Sequence, residues 1–230
     1  MRALAASIAI AFLAAPLAAS AADGQPRKAL TKAGQEAARS VVLKRGDLGP
    51  GFAPHARGKD EGTPKGARCR ALDEDDLTVT GDAASPDFRL AQGALFVTVG
   101  SNAQVYRTLR EANTSWRRGA SSQTTTCLSD IVRLSAGPGQ KITVVSAKRV
   151  PFPAIAPKTT AYRLVLTIGL GGNQRIRTYV DAVILQHGRI QTGLLFTSVG
   201  RPVASVDLVA LASVVAARMA KAAGPKGPVA

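Results

Sequence analysis

Between Tyr162 and Leu170, the residues Tyr162, Leu164, Leu166, Ile168 and Leu170 alternate with Arg163, Val165 and Thr167, the period-two signature of a strand with one apolar face. Gly171, Gly172 and Asn173 supply a turn that tolerates positive φ, and the alternation resumes from Gln174 to Gln186. There Ile176, Val180, Ala182 and Ile184 share one parity, while Arg175, Arg177, Tyr179 and Asp181 share the other. His187 and Gly188 close this strand in a hairpin turn. Ile190 to Val199 follows with Leu194, Leu195 and Phe196 contiguous, as in a strand covered on both faces. These three strands form an antiparallel meander around which the chain is organised, and one face of it needs a cover of helices.

Helical periodicity supplies that cover. Thr31 N-caps a predicted helix to about Leu43 with Ala33, Ala37, Ala38, Val41 and Val42 toward the core, stopped by Gly46, Gly49, Pro50 and Gly51. Gly58 to Gly66 reads as a charged loop, and Leu77–Thr80 and Gly93–Val99 read as strands. Ser101 with Gln104 resembles a capping box that opens a helix carrying Val105, Leu109, Ala112 and Trp116 on one stripe to near Gly119. At a stripe position Trp116 is a core anchor rather than a ligand platform. A short helix from near Thr126 places Cys127, Ile131 and Leu134 on one face. Ile142–Val150 is a further strand, and Pro151, Pro153 and Pro157 punctuate the crossing into the meander. After Gly200, Arg201 and Pro202, a last helix from about Ser205 aligns Leu208, Leu211, Val215 and Met219. The order predicts an α+β fold: an antiparallel sheet with a C-terminal strand meander, packed by N-terminal, middle and C-terminal helices as a sandwich.

Arg2, the apolar run Ala3–Ala19 and the small residues Ala19, Ser20 and Ala21 match a secretory signal peptide over residues 1–21, cleaved after Ala21. Residues 22–27 read as a flexible lead-in, 28–222 as a single sensor-like binding domain and 223–230 as a disordered basic tail. No other stretch approaches the roughly 18 apolar residues of a membrane span. The expected location is the periplasm, the cell-wall space or the medium. In an oxidising compartment Cys69 and Cys127, the chain's two cysteines, are expected to form a disulfide rather than to remain buried thiols or metal ligands.

A formal net charge of +15 favours anionic partners: wall polymers, acidic lipid headgroups or nucleic acid. The charge is scattered, with only Arg117–Arg118 and Lys148–Arg149 adjacent, and one Trp, three Tyr and six Phe give few stacking platforms. Specific nucleic-acid recognition wants basic patches interleaved with aromatics, so it is not expected. The parity of the second meander strand instead nominates Arg175, Arg177 and Tyr179 as a face for an anionic envelope component, with the helices on the opposite side of the sheet.

A first helix followed by Gly46-Asp47-Leu48-Gly49-Pro50-Gly51-Phe52, a Cys in the next loop, Leu77-Thr78-Val79-Thr80-Gly81-Asp82-Ala83, a segment with Val105, Tyr106 and Trp116, a second Cys and a late meander occur in that order. Over about residues 28 to 222 the chain thereby resembles the exported domains of actinobacterial proteins: the extracellular sensor domain of PknH-type Ser/Thr kinases and the related LpqN-type lipoproteins. The resemblance implies helices packed on a sheet around a cleft, and a binding or sensing role without known catalysis. The chain has cysteines for one disulfide where the PknH-type domain typically has two, and it lacks the lipobox cysteine of the LpqN type.

Catalytic constellations are sparse. The two histidines are His55, in a Pro/Gly-rich loop, and His187, in a hairpin turn, and neither is flanked by a nucleophile motif. G-x-S-x-G, H-E-x-x-H and P-loop patterns do not occur, and Cys127 paired with His187 would need a thiol that the disulfide consumes. Asp73, Glu74, Asp75 and Asp76 lack the spacing and glycine of a calcium loop and read as a solvated turn. No cofactor or metal is expected. The function expected is a non-catalytic ligand-binding or sensor-like module for an unknown small molecule or an anionic envelope polymer or lipid headgroup. The alternative is a small secreted hydrolase with an Asp/Glu pair, which two buried carboxyls facing each other across the largest pocket would favour.

Overall fold

The meander forms where its alternation predicts it, as β7 (Lys158–Gly169), β8 (Arg175–His187) and β9 (Ile190–Val199), with β6 (Lys141–Val150) antiparallel on the outer side of β7. Tyr162, Leu164, Leu166 and Ile168 are all buried, as their shared parity requires. The computed structural model describes residues 24–57, 67–93, 95–137, 140–169 and 174–224. The leader over 1–21, the Gly58–Gly66 loop, the Gly171–Asn173 turn and residues 225–230 of the tail lie outside the described residues.

The other strands are β1 (Arg27–Lys28), β2 (Ala53–His55), β3 (Thr78–Ala84), β4 (Asp87–Gln92) and β5 (Leu95–Tyr106). The sheet runs β1-β3-β5-β9-β8-β7-β6, with β1 parallel to β3 and the other pairings antiparallel. One edge of β5 pairs first with β4 and then with β3, so β3 and β4 are one path broken at Ser85–Pro86. Proline has no N–H for a ladder and suits such a break. Ser85 Oγ accepts the Ser101 amide there at 2.9 Å.

Several expectations change. The lead-in is not free at its end: Arg27 N–H donates to Leu77 O and Ala29 N–H to Val79 O, both at 2.9 Å, which makes β1. The Ser101–Gln104 box does not start a helix, because β5 continues to Tyr106 and pairs with β9 from Val97 to Val105. Ser101 Oγ instead accepts the Leu43 amide at 2.8 Å. The helix, α2 (Leu109–Gly119), starts about two turns later at Thr108, where Thr108 Oγ1 accepts the Glu111 amide and the Glu111 carboxylate accepts the Thr108 amide, a true capping box. Leu109, placed by sequence on the apolar stripe, is consequently exposed, and so is Leu134 at the end of α3 (Gln123–Leu134).

Helices cover both faces of the sheet rather than one. On one side α2 and α3 pack Trp116, Leu128 and Val132 onto Tyr162, Leu164, Leu166, Ala182 and Ile184. Trp116 is a core anchor there, with Lys158 Nζ 5.9 Å from the ring centroid. On the other side α1 (Lys32–Val41) and α4 (Ser205–Ala223) enclose Val99, Ala103, Val183, Leu185, Leu194 and Phe196. Each large apolar side chain buried in this way stabilises the fold by roughly 1.5–3 kcal/mol. Thr31 caps α1 as predicted, but Ala33 is exposed and the buried face is Gly34, Ala38 and Val41. Gly34 lies directly on β3: a Cβ there would sit 2.2 Å from Thr80 O.

Candidate functional site

Beside α4, on the face that it shares with α1, the sheet is left partly open. β4, β5 and β9 present Leu90, Val97, Val99 and Phe196 to this gap, because Leu90 opposes Val97 and Val99 opposes Phe196 across the ladder. The segment after α1 supplies one wall with Leu48, Gly49 and Phe52, and Val203, Ala204, Ala210 and Leu211 at the start of α4 supply the other. The resulting pocket has a volume of about 550 Å³, within the range of small-molecule sites, and its lining is largely apolar.

Polar contacts fix the walls. A 3₁₀ turn at Arg45–Asp47 carries the Asp47 carboxylate, which accepts the Lys44 amide at 2.7 Å and both Arg218 terminal nitrogens, one of them at 2.7 Å. Arg218 also donates to Val42 O at 3.2 Å, so α4 and the wall segment are tied together. Burial opposes ionisation of Asp47, but Arg218 and the Lys44 amide outweigh it and hold the carboxyl below its ordinary range. Gly51, at φ 88°, lets the wall turn against β4, since a Cβ there would lie 2.8 Å from Leu90 Cδ1. The second carboxylate of the lining, Asp207, is exposed in the first turn of α4. The lining therefore holds one buried carboxylate, committed to Arg218, and not a facing pair.

The residues nominated from sequence lie on this same face. Tyr179 opposes Ser198, which lines the pocket, and Arg177 O accepts the Gly200 amide at 2.9 Å. Arg175 and Arg177 are exposed and Tyr179 is half-buried. The expectation that helices sit only on the opposite side is corrected: α4 covers Val183 and Leu185, the next positions of the same parity. Asp181, of that parity too, is only 2 % exposed and pairs with Arg163 Nε at 2.6 Å. Burial raises its carboxyl above the ordinary aspartate range, and Arg163 offsets this incompletely.

Cys69 and Cys127 are joined, with an S–S distance of 2.04 Å, so Cys127 is not a thiol. His55 sits opposite Asp87 in the β2–β4 ladder and His187 closes the β8–β9 turn. The acidic run is a turn with Asp75 and Asp76 exposed, as expected, and it is also clamped: Asp76 takes a two-pronged contact from Arg118 at 2.6 and 2.9 Å, and Arg118 also donates to Asp73 O. Among the described residues no group of three or more His, Cys, Asp or Glu is placed to hold a metal.

Glu74 belongs to a buried network that the sequence did not mark. Its carboxylate accepts the Tyr106 hydroxyl at 2.9 Å, and that hydroxyl also lies 3.0 Å from Gln104 Oε1 and 2.8 Å from Ser115 Oγ. Glu74, Gln104 and Ser115 border a cavity of about 60 Å³ between α2, α3 and the sheet. Burial raises the Glu74 carboxyl above its ordinary value, and Ser115, Tyr106 and Arg118 only partly offset it. A raised folded-state value contributes stability that is complete below the unfolded value and is lost as pH rises through the folded one. Glu74→Gln should therefore gain stability relative to the wild type on going from pH 4 to pH 8. Melting curves of both proteins over that range check this, and a constant difference between them would contradict it.

No known protein family matches the chain, and no curated protein sequence is similar to it.

Proposed function

We propose that this chain is an exported, non-catalytic ligand-binding module of the bacterial cell envelope, and that its ligand is a small molecule with a substantial apolar part. The observation that carries the reading is the 550 Å³ pocket, where an apolar floor on the sheet meets apolar walls from two separate segments. The resemblance to PknH-type sensor domains and LpqN-type lipoproteins agrees with a binding role. The export part of the reading is supported by the apolar leader and by the Cys69–Cys127 bond, and no helix among the described residues is long and apolar enough to cross a membrane. A hydrolase with paired carboxyls finds less support, since Arg218 occupies the one buried carboxylate of the lining.

Ala210 lines the pocket from an exposed position on α4, so Ala210→Trp adds bulk at the mouth without entering the core. The neutral probe N-phenyl-1-naphthylamine should brighten on binding the wild type and bind the variant at least about tenfold more weakly, a loss of about 1.4 kcal/mol. The melting temperature should be unchanged. Equal affinities, or no binding to the wild type, would remove the pocket from consideration as the site.

A further inference from the structure

We infer that the pocket takes a single-chain amphiphile with an anionic head, the apolar chain lying over Leu90, Val97, Val99 and Phe196 and the head meeting Arg201 and Arg177. This deepens the binding role proposed above and rests on it. Arg201 is one of the few polar groups of the lining, and its carbonyl is held by Ser198 Oγ at 2.8 Å. The Gly200 amide bond to Arg177 O brings the Arg177 backbone beside that segment. Strand parity puts the Arg177 side chain on the pocket's face of the sheet, two residues from Tyr179. Arg175 continues the same row, and Lys141 follows it across β7 through Gly169.

Charge pairing separates these arginines from the rest of that face. Arg163 is paired with Asp181 and Arg218 with Asp47. Arg175, Arg177 and Arg201 are exposed and have no carboxylate partner among the described residues. Against them stands Asp207, the lining's other carboxylate and likewise unpaired. Arg201 in the lining, with the exposed row of Arg177, Arg175 and Lys141 leading away from it, outweighs the one exposed anion, and together with the apolar lining this favours a molecule with an anionic end and an apolar end. A cationic head would meet net repulsion. A wall polymer would satisfy the charge and leave the apolar floor wet. The planar guanidinium fork suits a carboxylate or a phosphate equally, so the head is defined by its charge and oxygen pair.

Calorimetric titration with dodecanoate, dodecyl phosphate, dodecyltrimethylammonium and dodecanol, each below its aggregation threshold, tests this. The wild type should bind one or both anionic amphiphiles at least about tenfold more tightly than the cationic one or the alcohol, the scale of one charge-assisted contact. The carboxylate and phosphate arms then distinguish the two heads. Arg177→Gln with Arg201→Gln should lose at least about tenfold for the anionic ligands and keep dodecanol unchanged. Arg70→Gln with Arg110→Gln removes equal charge from exposed positions elsewhere and should leave all four affinities unchanged. Equal affinity for the anionic and neutral ligands, or equal losses in the two double variants, overturns the head assignment and leaves the pocket standing. Failure of all four ligands to bind overturns both.

Discussion

Replacing Cys69 and Cys127 together by alanine is expected to lower the unfolding free energy by about 4 kcal/mol, since the bond closes a long loop in the unfolded chain. The cysteines are 58 residues apart, and the segment between them contains β3, β4, β5 and α2. In the folded protein the bond pins α3 to the turn before Leu72, where both sulfurs are buried with Ile131 and against Ala67 and Leu72. Asp130 also ties this junction, accepting Arg68 Nε at 2.7 Å and the Arg68 amide at 3.2 Å. Arg68 is largely exposed, so solvent screens that pair and it cannot replace the covalent link. Because whole domains are stable by only about 5–15 kcal/mol, the loss should be plain in urea denaturation of the double variant. An unchanged midpoint would show that the bond contributes nothing, and a changed slope would show that it acts through the compactness of the unfolded state.

The parts legible in the sequence are those where one physical pattern acts alone. Tyr162, Leu164, Leu166 and Ile168 alternate without interruption, and β7 buries all four. Ser101 to Gln104 was ambiguous because a four-residue capping pattern sits inside the longer alternation Val97, Val99, Ser101, Ala103, Val105. Ladder pairing with β9 along that whole stretch outweighs one local motif, and Thr108 with Glu111 was the box that mattered. In β8 the grouping of Asp181 with Arg175 and Arg177 was correct in parity and wrong in exposure. Val183 and Leu185, next in the same series, signal that a helix covers this face partway along the strand. The pocket could not be read at all. Its lining comes from the 47–52 segment, β4, β5, β9 and α4, and no local pattern records their convergence. The contact between α1 and β3 was hidden for a different reason, because a residue without a side chain makes it.

Gly34→Ala separates local propensity from tertiary contact by sign. In an isolated helix this change should stabilise by about 1 kcal/mol, since glycine is the poorest helix former after proline. In the folded chain a Cβ at Gly34 would lie 2.2 Å from Thr80 O, and one at Gly81 would lie 2.0 Å from Gly34 O. Both obstacles are backbone, so no rotamer change relieves them. The Thr31 amide bond to Thr80 O and the Asp82 amide bond to Gln35 Oε1 hold the two segments at this separation. Overpacking of this kind costs roughly 1–3 kcal/mol and more where the backbone must move, so the contact should win and Gly34→Ala should destabilise by about 2 kcal/mol. Its reach extends to the ligand site, because α1 leads through the Leu43–Ser101 bond to the wall residues Leu48 and Phe52. A shift of α1 should therefore weaken binding of N-phenyl-1-naphthylamine as well. Ala33→Gln, at the exposed neighbouring position, should leave stability and binding as they are. If Gly34→Ala melted at or above the wild-type temperature, helix propensity would have prevailed and the close seating of α1 on β3 would not be what holds the pocket wall.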